Sequence, residues 1–489
     1  MLFGFIWVVV WLFYIRKNIN SRDWQLIMSA VGLAAPCMGV FFGHNEVYAP
    51  IYVFILVYLI FLNHCIQSTN KIYLLAAGLL LICLVRMHPL SLLLIPSFVI
   101  VMIHFILNKV SHKGIWHRWK YILIGLILPI FIMGAYYYFF IQEDYKDPRV
   151  LKFTSAQDRL FLPLISPPEP YDRYNLLSWN HIFDYLNAIL FWSTPMVMLA
   201  VMFITFLRRQ IDWNKLSIIV NALPVLFYAS FLFVFNPLLS MPMDWDLFSL
   251  VVPSLLVLLV SLVMQIEHLN VNTRSIAVYV MAFSLLMMPF IYVNSVKESY
   301  ANRLISVGVR VFKTYYEWSG RQLDFAFYLL GDDPEKSRIK QQEVLQKLRP
   351  YAVDGNDEHY AHLISIHGAS YAAEGKFERA LKAFKRARDY SPNHKVNLLR
   401  LLEANFMTRR YEDAFGTALE LLNFQYPNER KAMRMTIHCA LEAEMYRDAY
   451  RYAEIYNRQW PGDSTIHKVE YDIDYQKNPE KLKYLFSRR

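Results

Sequence analysis

The sequence predicts an all-α protein: a polytopic transmembrane helix bundle of about ten spans followed by a soluble α-solenoid. Three observations carry that prediction. Apolar runs of bilayer-crossing length recur through the first three-fifths of the chain, and basic residues collect in alternate turns between them. From about residue 296 the composition turns charged, amphipathic and tyrosine-rich, with a self-similar period of 34 residues. The expected organisation is a membrane domain over 1–295, a helical connector or divergent repeat over 296–357, and a repeat domain over 358–489.

Composition supports the first element. Of 489 residues, 56% are hydrophobic and 18% charged, below the roughly 25% charged of soluble domains. A formal net charge of +10 fits basic cytoplasmic loops. With no lysine/arginine block interleaved with aromatics, no nucleic-acid partner is expected. Cys37, Cys65, Cys83 and Cys439 have neither CxxC nor zinc-like spacing and read as small hydrophobes. Met1 enters an apolar run directly, without the basic n-region or cleavage site of a signal peptide.

The expected spans lie near 2–15, 25–43, 48–63, 72–86, 89–107, 121–141, 185–207, 216–236, 247–266 and 275–294. Pro129, Pro195, Pro224 and Pro253 fall inside them, which bundled membrane helices tolerate. Alternation places Arg16, Lys17 and Arg22, then Lys109, Lys113, Arg118 and Lys120, then Arg208, Arg209 and Lys215, and finally Arg274 on one face. That face is expected to be cytoplasmic. The opposite face then receives Met1, the turns at 44–46 and 86–88, the stretch 142–184, the turn 236–246 and everything after the last span.

In the last third, Gly368, Tyr371, Gly375, Phe377, Ala380, Phe384, Ala387 and Pro392 occupy tetratricopeptide-like positions. Tyr411, Ala414, Ala418, Leu421 and Pro427 follow, then Tyr446, Ala449, Ala453, Tyr456 and Pro461. Alanine and glycine recur where two helix backbones approach closely. The array resembles a tetratricopeptide (TPR) α-solenoid, whose groove holds a peptide or protein partner. A rigid scaffold that binds nothing is the alternative.

Three polar motifs mark the outer ends of spans: His44 with Glu46, Arg86 with His88, and Asp244 with Asp246 around Trp245. Each has a bland alternative. Arg86 would snorkel to headgroups, His44 would sit at the interface, and one aspartate would cap the helix near Leu247. Ionisable groups are costly near a bilayer, so convergence of three motifs on one face favours a shared polar site. Its chemistry suits a phosphate-bearing substrate. Arg86 would pair with phosphate oxygens, and His44 and His88 would donate to them or act as acid or base. Glu46 and the aspartates would act as base, or Asp244 and Asp246 would hold a divalent cation, magnesium or manganese. Tyr48 and His181 also fall where they would face the site, and the loop 142–184 has the length of a cover.

The Gly-His-Asn-Glu-Val-Tyr, Arg-Met-His-Pro-Leu-Ser, Tyr-Asn-Leu-Leu-Ser-Trp-Asn-His and Asp-Trp-Asp-Leu-Phe segments, with the following repeats, resemble the GT-C glycosyltransferase superfamily. The arrangement is similar to protein O-mannosyltransferase-like membrane proteins that carry such repeats. The resemblance implies transfer of a sugar from a polyprenyl-phosphate donor to an acceptor outside the cytoplasm, with an acidic base or metal ligand in the first outer loop. That loop normally follows a first transmembrane helix, and here the chain begins after it. A missing N-terminal hairpin, or loss of the usual catalytic acid, is therefore expected. Two other readings stay open: a non-catalytic scaffold recruiting a partner through the groove, and a flippase, which would need ionisable residues at mid-membrane depth.

Overall fold

Apolar sequence without enough water-facing polar groups satisfies its backbone most readily as helix, and helix dominates here. The structure, a computed structural model, describes residues 2–33, 36–41, 48–68, 71–109, 161–164, 174–237, 240–242, 244–269, 271–285, 287–312, 314, 316–352, 357–422 and 430–461. Among the described residues everything regular is helical except one antiparallel bridge, Phe161 with Phe235. The chain divides into two units, Met1–Asn294 and Ser295–Arg489.

The first unit contains α1 (Leu2–Asn18), α2 (Arg22–Leu33), a 3-10 turn (Pro36–Phe41), α3 (Tyr48–Gln67) and α4 (Lys71–Met87). A second 3-10 turn (Pro89–Leu94) leads into α5 (Ile95–His104). After them come α6 (Trp179–Phe206), α7 (Leu216–Val234), the short α8 (Trp245–Phe248), α9 (Val252–Ile266), α10 (Thr273–Leu285) and α11 (Met287–Ser295). By length and composition, four stretches can cross a membrane: Tyr48–Gln67, Pro89–Leu107, Leu216–Val234 and Trp245–Ile266. A fifth is added if Trp179–Trp192 and Thr194–Phe206 form one span, which bends by 95°. Pro195 lies just past the bend; it lacks an N–H, and its ring opposes the carbonyl one turn back.

The expectation of about ten spans thus exceeds what the described helices establish. Within the stretch 25–43 the described residues form α2 as far as Leu33 and a 3-10 turn over Pro36–Phe41, and Ile72–Met87 and Thr273–Leu285 are apolar but short. The expected span 121–141, like most of the loop 142–184, lies outside the described residues.

The central element is Trp245–Ile266, 89% buried in its apolar window against 33% for Leu216–Val234. A polar knot ties it to its neighbours. Asn63 and Asn221 exchange amide hydrogen bonds of 3.0 and 3.1 Å, and Asn221 also donates to Ser261 Oγ at 2.8 Å. Such side chains bond across helices because an apolar surround offers no substitute.

Hydrogen bonds also sort the two ends of this unit. At one end Glu267 accepts from the Asn20 and Ser21 N–H groups, Asp212 N–H donates to Gln265, and Thr273 donates to Asp23. Lys17 meets His64 there at 3.4 Å. The basic residues Arg16, Lys17, Arg22, Arg208, Arg209, Lys215 and Arg274 flank these contacts. At the other end lie the start of α3, the α4–Pro89 junction and the turn before α8. The 20 residues of α3 separate the ends by roughly 30 Å at 1.5 Å per residue.

The second unit contains α12 (Lys297–Val311), α13 (Tyr316–Leu329) and α14 (Pro334–Leu348). Three hairpins follow: α15 (Glu358–Ala373) with α16 (Phe377–Tyr390), α17 (Lys395–Met407) with α18 (Tyr411–Glu420), and α19 (Arg430–Glu442) with α20 (Tyr446–Gln459). Their turns are built alike. Each has one residue in the left-handed region: Gly375 (φ 73°), Arg409 (φ 61°) and Glu444 (φ 60°). The next N–H closes each turn, from Lys376 to Tyr371 O (3.0 Å), Arg410 to Asn405 O (2.9 Å) and Met445 to Ala440 O (2.7 Å). This is the helix-ending bond pattern that a left-handed residue permits. Within the pairs, Ala380, Ala414 and Ala449 are fully buried. A Cβ on Gly368 would lie 2.6 Å from the Phe384 ring, so only glycine lets α15 and α16 approach as they do.

Candidate functional site

Three chain turns meet at the end of the first unit opposite the basic loops. The ring of Tyr48, the first residue of α3, lies 5.5 Å from that of His88. His88 Nδ1 accepts the Leu90 N–H at 3.2 Å and caps the 3-10 turn. That contact leaves the proton of the neutral ring on Nε2, making Nε2–H a donor. Burial pushes the His88 imidazole below its usual range, while the charge of Asp246 works against that shift.

Asp246 is 2% exposed. Its Oδ1 accepts the Leu247 N–H at 3.0 Å, and its carbonyl accepts the Ser249 hydroxyl at 2.8 Å. Ser249 in turn accepts from the Tyr52 hydroxyl, one helical turn beyond Tyr48. The turn before α9 is therefore fastened to α3 through consecutive hydroxyls. Trp245 packs its ring 5.2 Å from Phe191 of α6, and a Cβ on Gly39 would lie 3.6 Å from it.

Several expected residues fall elsewhere or differ in role. Asp244 precedes α8 with φ −95° and ψ 38° and makes no side-chain cap bond, which overturns its reading as a helix cap. Arg86 is exposed at the last turn of α4. His44 and Glu46 lie outside the described residues. The chain on either side of them is fixed by Phe41, with its ring 6.0 Å from Tyr52, and by Tyr48. Among the described residues no group of three or more histidine, cysteine, aspartate or glutamate side chains could hold a metal ion.

His181 does not join this cluster. It is fully buried, with Nε2 2.8 Å from the Phe233 carbonyl and its ring against Tyr174 and Phe233. The carbonyl accepts, so Nε2 donates, and buried Nδ1 has no partner among the described residues. Beside it the Tyr174 hydroxyl donates to Asp184 Oδ2 at 3.0 Å, and Asp184 is 3% exposed. Sequence reading missed Asp184 and Tyr174. The available signal was a carboxylate three residues after His181, on the same face of an apolar helix.

A second candidate lies in the second unit, a cavity of about 500 Å³ lined by Ala369 and Ala372, Arg400, Glu403 and Met407, and Met435. These come from α15, α17 and α19, the first helix of each hairpin, and Phe377 and Phe384 of α16 also line it. Arg400 donates to Ser365 Oγ at 2.8 Å, and Glu403 pairs with Lys431. The cavity thus carries one fixed cation and one fixed anion amid alanine, methionine and phenylalanine.

No family model matches this sequence, and its comparison with curated proteins returns no match.

Proposed function

We propose that the chain is a multi-pass membrane glycosyltransferase that moves a sugar from a polyprenyl-phosphate donor to an extracytoplasmic acceptor. The observation that carries this reading is the Tyr48–His88 ring contact beside the Tyr52–Ser249–Asp246 hydrogen-bond chain, at the bundle end opposite the basic loops. A buried carboxylate and an Nε2–H donor at the same end of the bundle suit the two demands of such a transfer. The imidazole, kept neutral by burial, donates to a phosphate oxygen of the donor. A carboxylate from Asp246, Asp244 or Glu46 takes the acceptor hydroxyl proton as the new glycosidic bond forms and the sugar–phosphate C–O bond breaks, releasing the polyprenyl phosphate. Arg86 holds the lipid phosphate, and Trp245 and Tyr48 supply stacking surface for a sugar ring.

The hairpins of the second unit are tetratricopeptide-type repeats in this reading, on the non-cytoplasmic side, and their cavity holds a peptide segment of the acceptor or of a partner protein. Sugar transfer from a polyprenyl-phosphate donor should fall at least 100-fold in Asp246→Asn, and similarly in one of Glu46→Gln and Asp244→Asn. Equal activity in the wild type and all three variants would remove the assignment.

The Arg400–Glu403 cavity favours a second reading, a non-catalytic scaffold. It predicts no transfer by the wild type, together with a partner whose crosslinking to the full chain is lost in Arg400→Glu.

A further inference from the structure

A cleft of about 550 Å³ runs between the second half of α6 and α10, away from the polar cluster. Met198, Met202 and Leu207 line one wall, and Ile276, Tyr279 and Phe283 the other. From Val271 to Phe283 it follows the chain for about 18 Å at the helical rise. That length suits an extended acyl chain. The walls offer almost nothing polar to a ligand until Asn272 and Ser275, where the cleft reaches the basic end of the unit.

Three arginines neighbour that mouth along the chain. Arg208 and Arg209 directly follow Leu207, and Arg274 lies between Asn272 and Ser275. All three are exposed, and none of their side chains has a hydrogen bond or ion pair among the described residues. The acids nearby are already engaged. Asp212 Oδ1 accepts the Asn214 N–H at 3.0 Å, and Asp23 Oδ2 accepts the Thr273 hydroxyl at 2.8 Å. Trp213 Nε1 donates to the Arg208 carbonyl at 3.0 Å, folding the loop back so that it is held rather than free-hanging. An apolar slot ending in unpaired guanidinium groups matches one kind of membrane component, an apolar chain joined to a phosphate.

We propose that this cleft binds one anionic phospholipid, with an acyl chain between α6 and α10 and its phosphate held by Arg208, Arg209 and Arg274. The site rests on the membrane reading but not on the transfer reaction. A zwitterionic lipid would fill the slot too, but its choline would bring a cation against three others. Selectivity is therefore the property that distinguishes a site from ordinary lipid contact.

The full chain, purified in mild detergent, is offered equal phosphatidylglycerol and phosphatidylcholine of the same acyl chains, and retained lipid is counted by native mass spectrometry. The wild type should keep phosphatidylglycerol with at least a tenfold preference. The triple variant R208Q/R209Q/R274Q, altered only at exposed positions, should fall to near parity. Ser275→Trp, which leaves the arginines in place and fills the mouth, should lower phosphatidylglycerol retention several-fold. Parity in the wild type, or an undiminished preference in the triple variant, would overturn the proposal. So would displacement by glycerol phosphate as effective as by the whole lipid. A chain that stays in solution without detergent would instead sink the membrane reading, and loss of sugar transfer with lipid preference intact would leave this site standing.

Discussion

The Tyr52 hydroxyl of α3 donates to Ser249 Oγ, and Ser249 passes a hydrogen bond on to the carbonyl of Asp246. Residues 197 apart in sequence thereby set the position of the carboxylate on which the proposed chemistry rests.

Tyr52→Phe should therefore lower sugar transfer about tenfold while leaving the helical content unchanged. The lost bond itself is worth about 1 kcal/mol, so the chain should remain folded. Circular dichroism together with the transfer assay separates the two effects. Unaltered transfer in a folded variant would show that the turn holds its own shape.

The Asn63–Asn221–Ser261 knot predicts a non-additive pair. Asn221→Ala leaves the Asn63 amide without its reciprocal partner and should cost about 1 kcal/mol. Adding Asn63→Ala should cost little more, since the orphaned amide goes with it. A denaturation series in detergent micelles measures the cycle, and strict additivity would argue against coupling.

In the second unit, Gly368→Ala puts a methyl group 2.6 Å from the Phe384 ring and 3.1 Å from Ala383 Cβ. Destabilisation of roughly 1–3 kcal/mol is expected, as for an overpacked core. A lowered thermal midpoint of this unit is the readout.

Glu444→Gly should act in the opposite sense. Its φ of 60° is strained for a residue bearing a Cβ, at roughly 1–2 kcal/mol. Glycine occupies the matching turn at Gly375 (φ 73°) without that strain. A raised thermal midpoint is expected, offset in part by the chain entropy that glycine adds to the unfolded state.

His367 gives the second unit an acid sensitivity. Burial, with Arg338 and Arg386 nearby, pushes its imidazole down from 6.5 to about 4. Its Nδ1 lies 3.1 Å from Gln341 Oε1, a bond the neutral ring already makes. The unfolded chain binds the proton more readily, so this contribution is complete above pH 6.5 and is lost as pH falls toward about 4. Unfolding midpoints across that window should drop less in His367→Gln than in the wild type. Parallel curves would show that other groups dominate.

Much of the helical architecture was legible because periodicity and length are local properties. The apolar runs at 48–63, 89–107, 216–236 and 247–266 became helices of membrane-crossing length, and the recurring alanines became buried helix contacts. The candidate site was legible only in part. Asp246 and His88 could be suspected from their motifs, whereas Asp184 was hidden because its partner, Tyr174, comes from the preceding loop. His181 looked the same in sequence as His88. Only packing showed that its Nε2 belongs to the Phe233 carbonyl.

The polar motifs at the ends of apolar runs came into view from the sequence alone, as did the helical class and the basic turns, because each is written within a few residues. What the tertiary structure decided was which of those motifs touch. Side chains more than a helix apart in sequence meet only when helices choose their neighbours, and that choice depends on close approach at Gly368, on a bend before Pro195 and on the Asn63–Asn221 knot. The sequence marked Gly368 and Pro195 as positions, but their partners, like the Asn63–Asn221 pairing, are a fit between surfaces that exist only once the helices have formed.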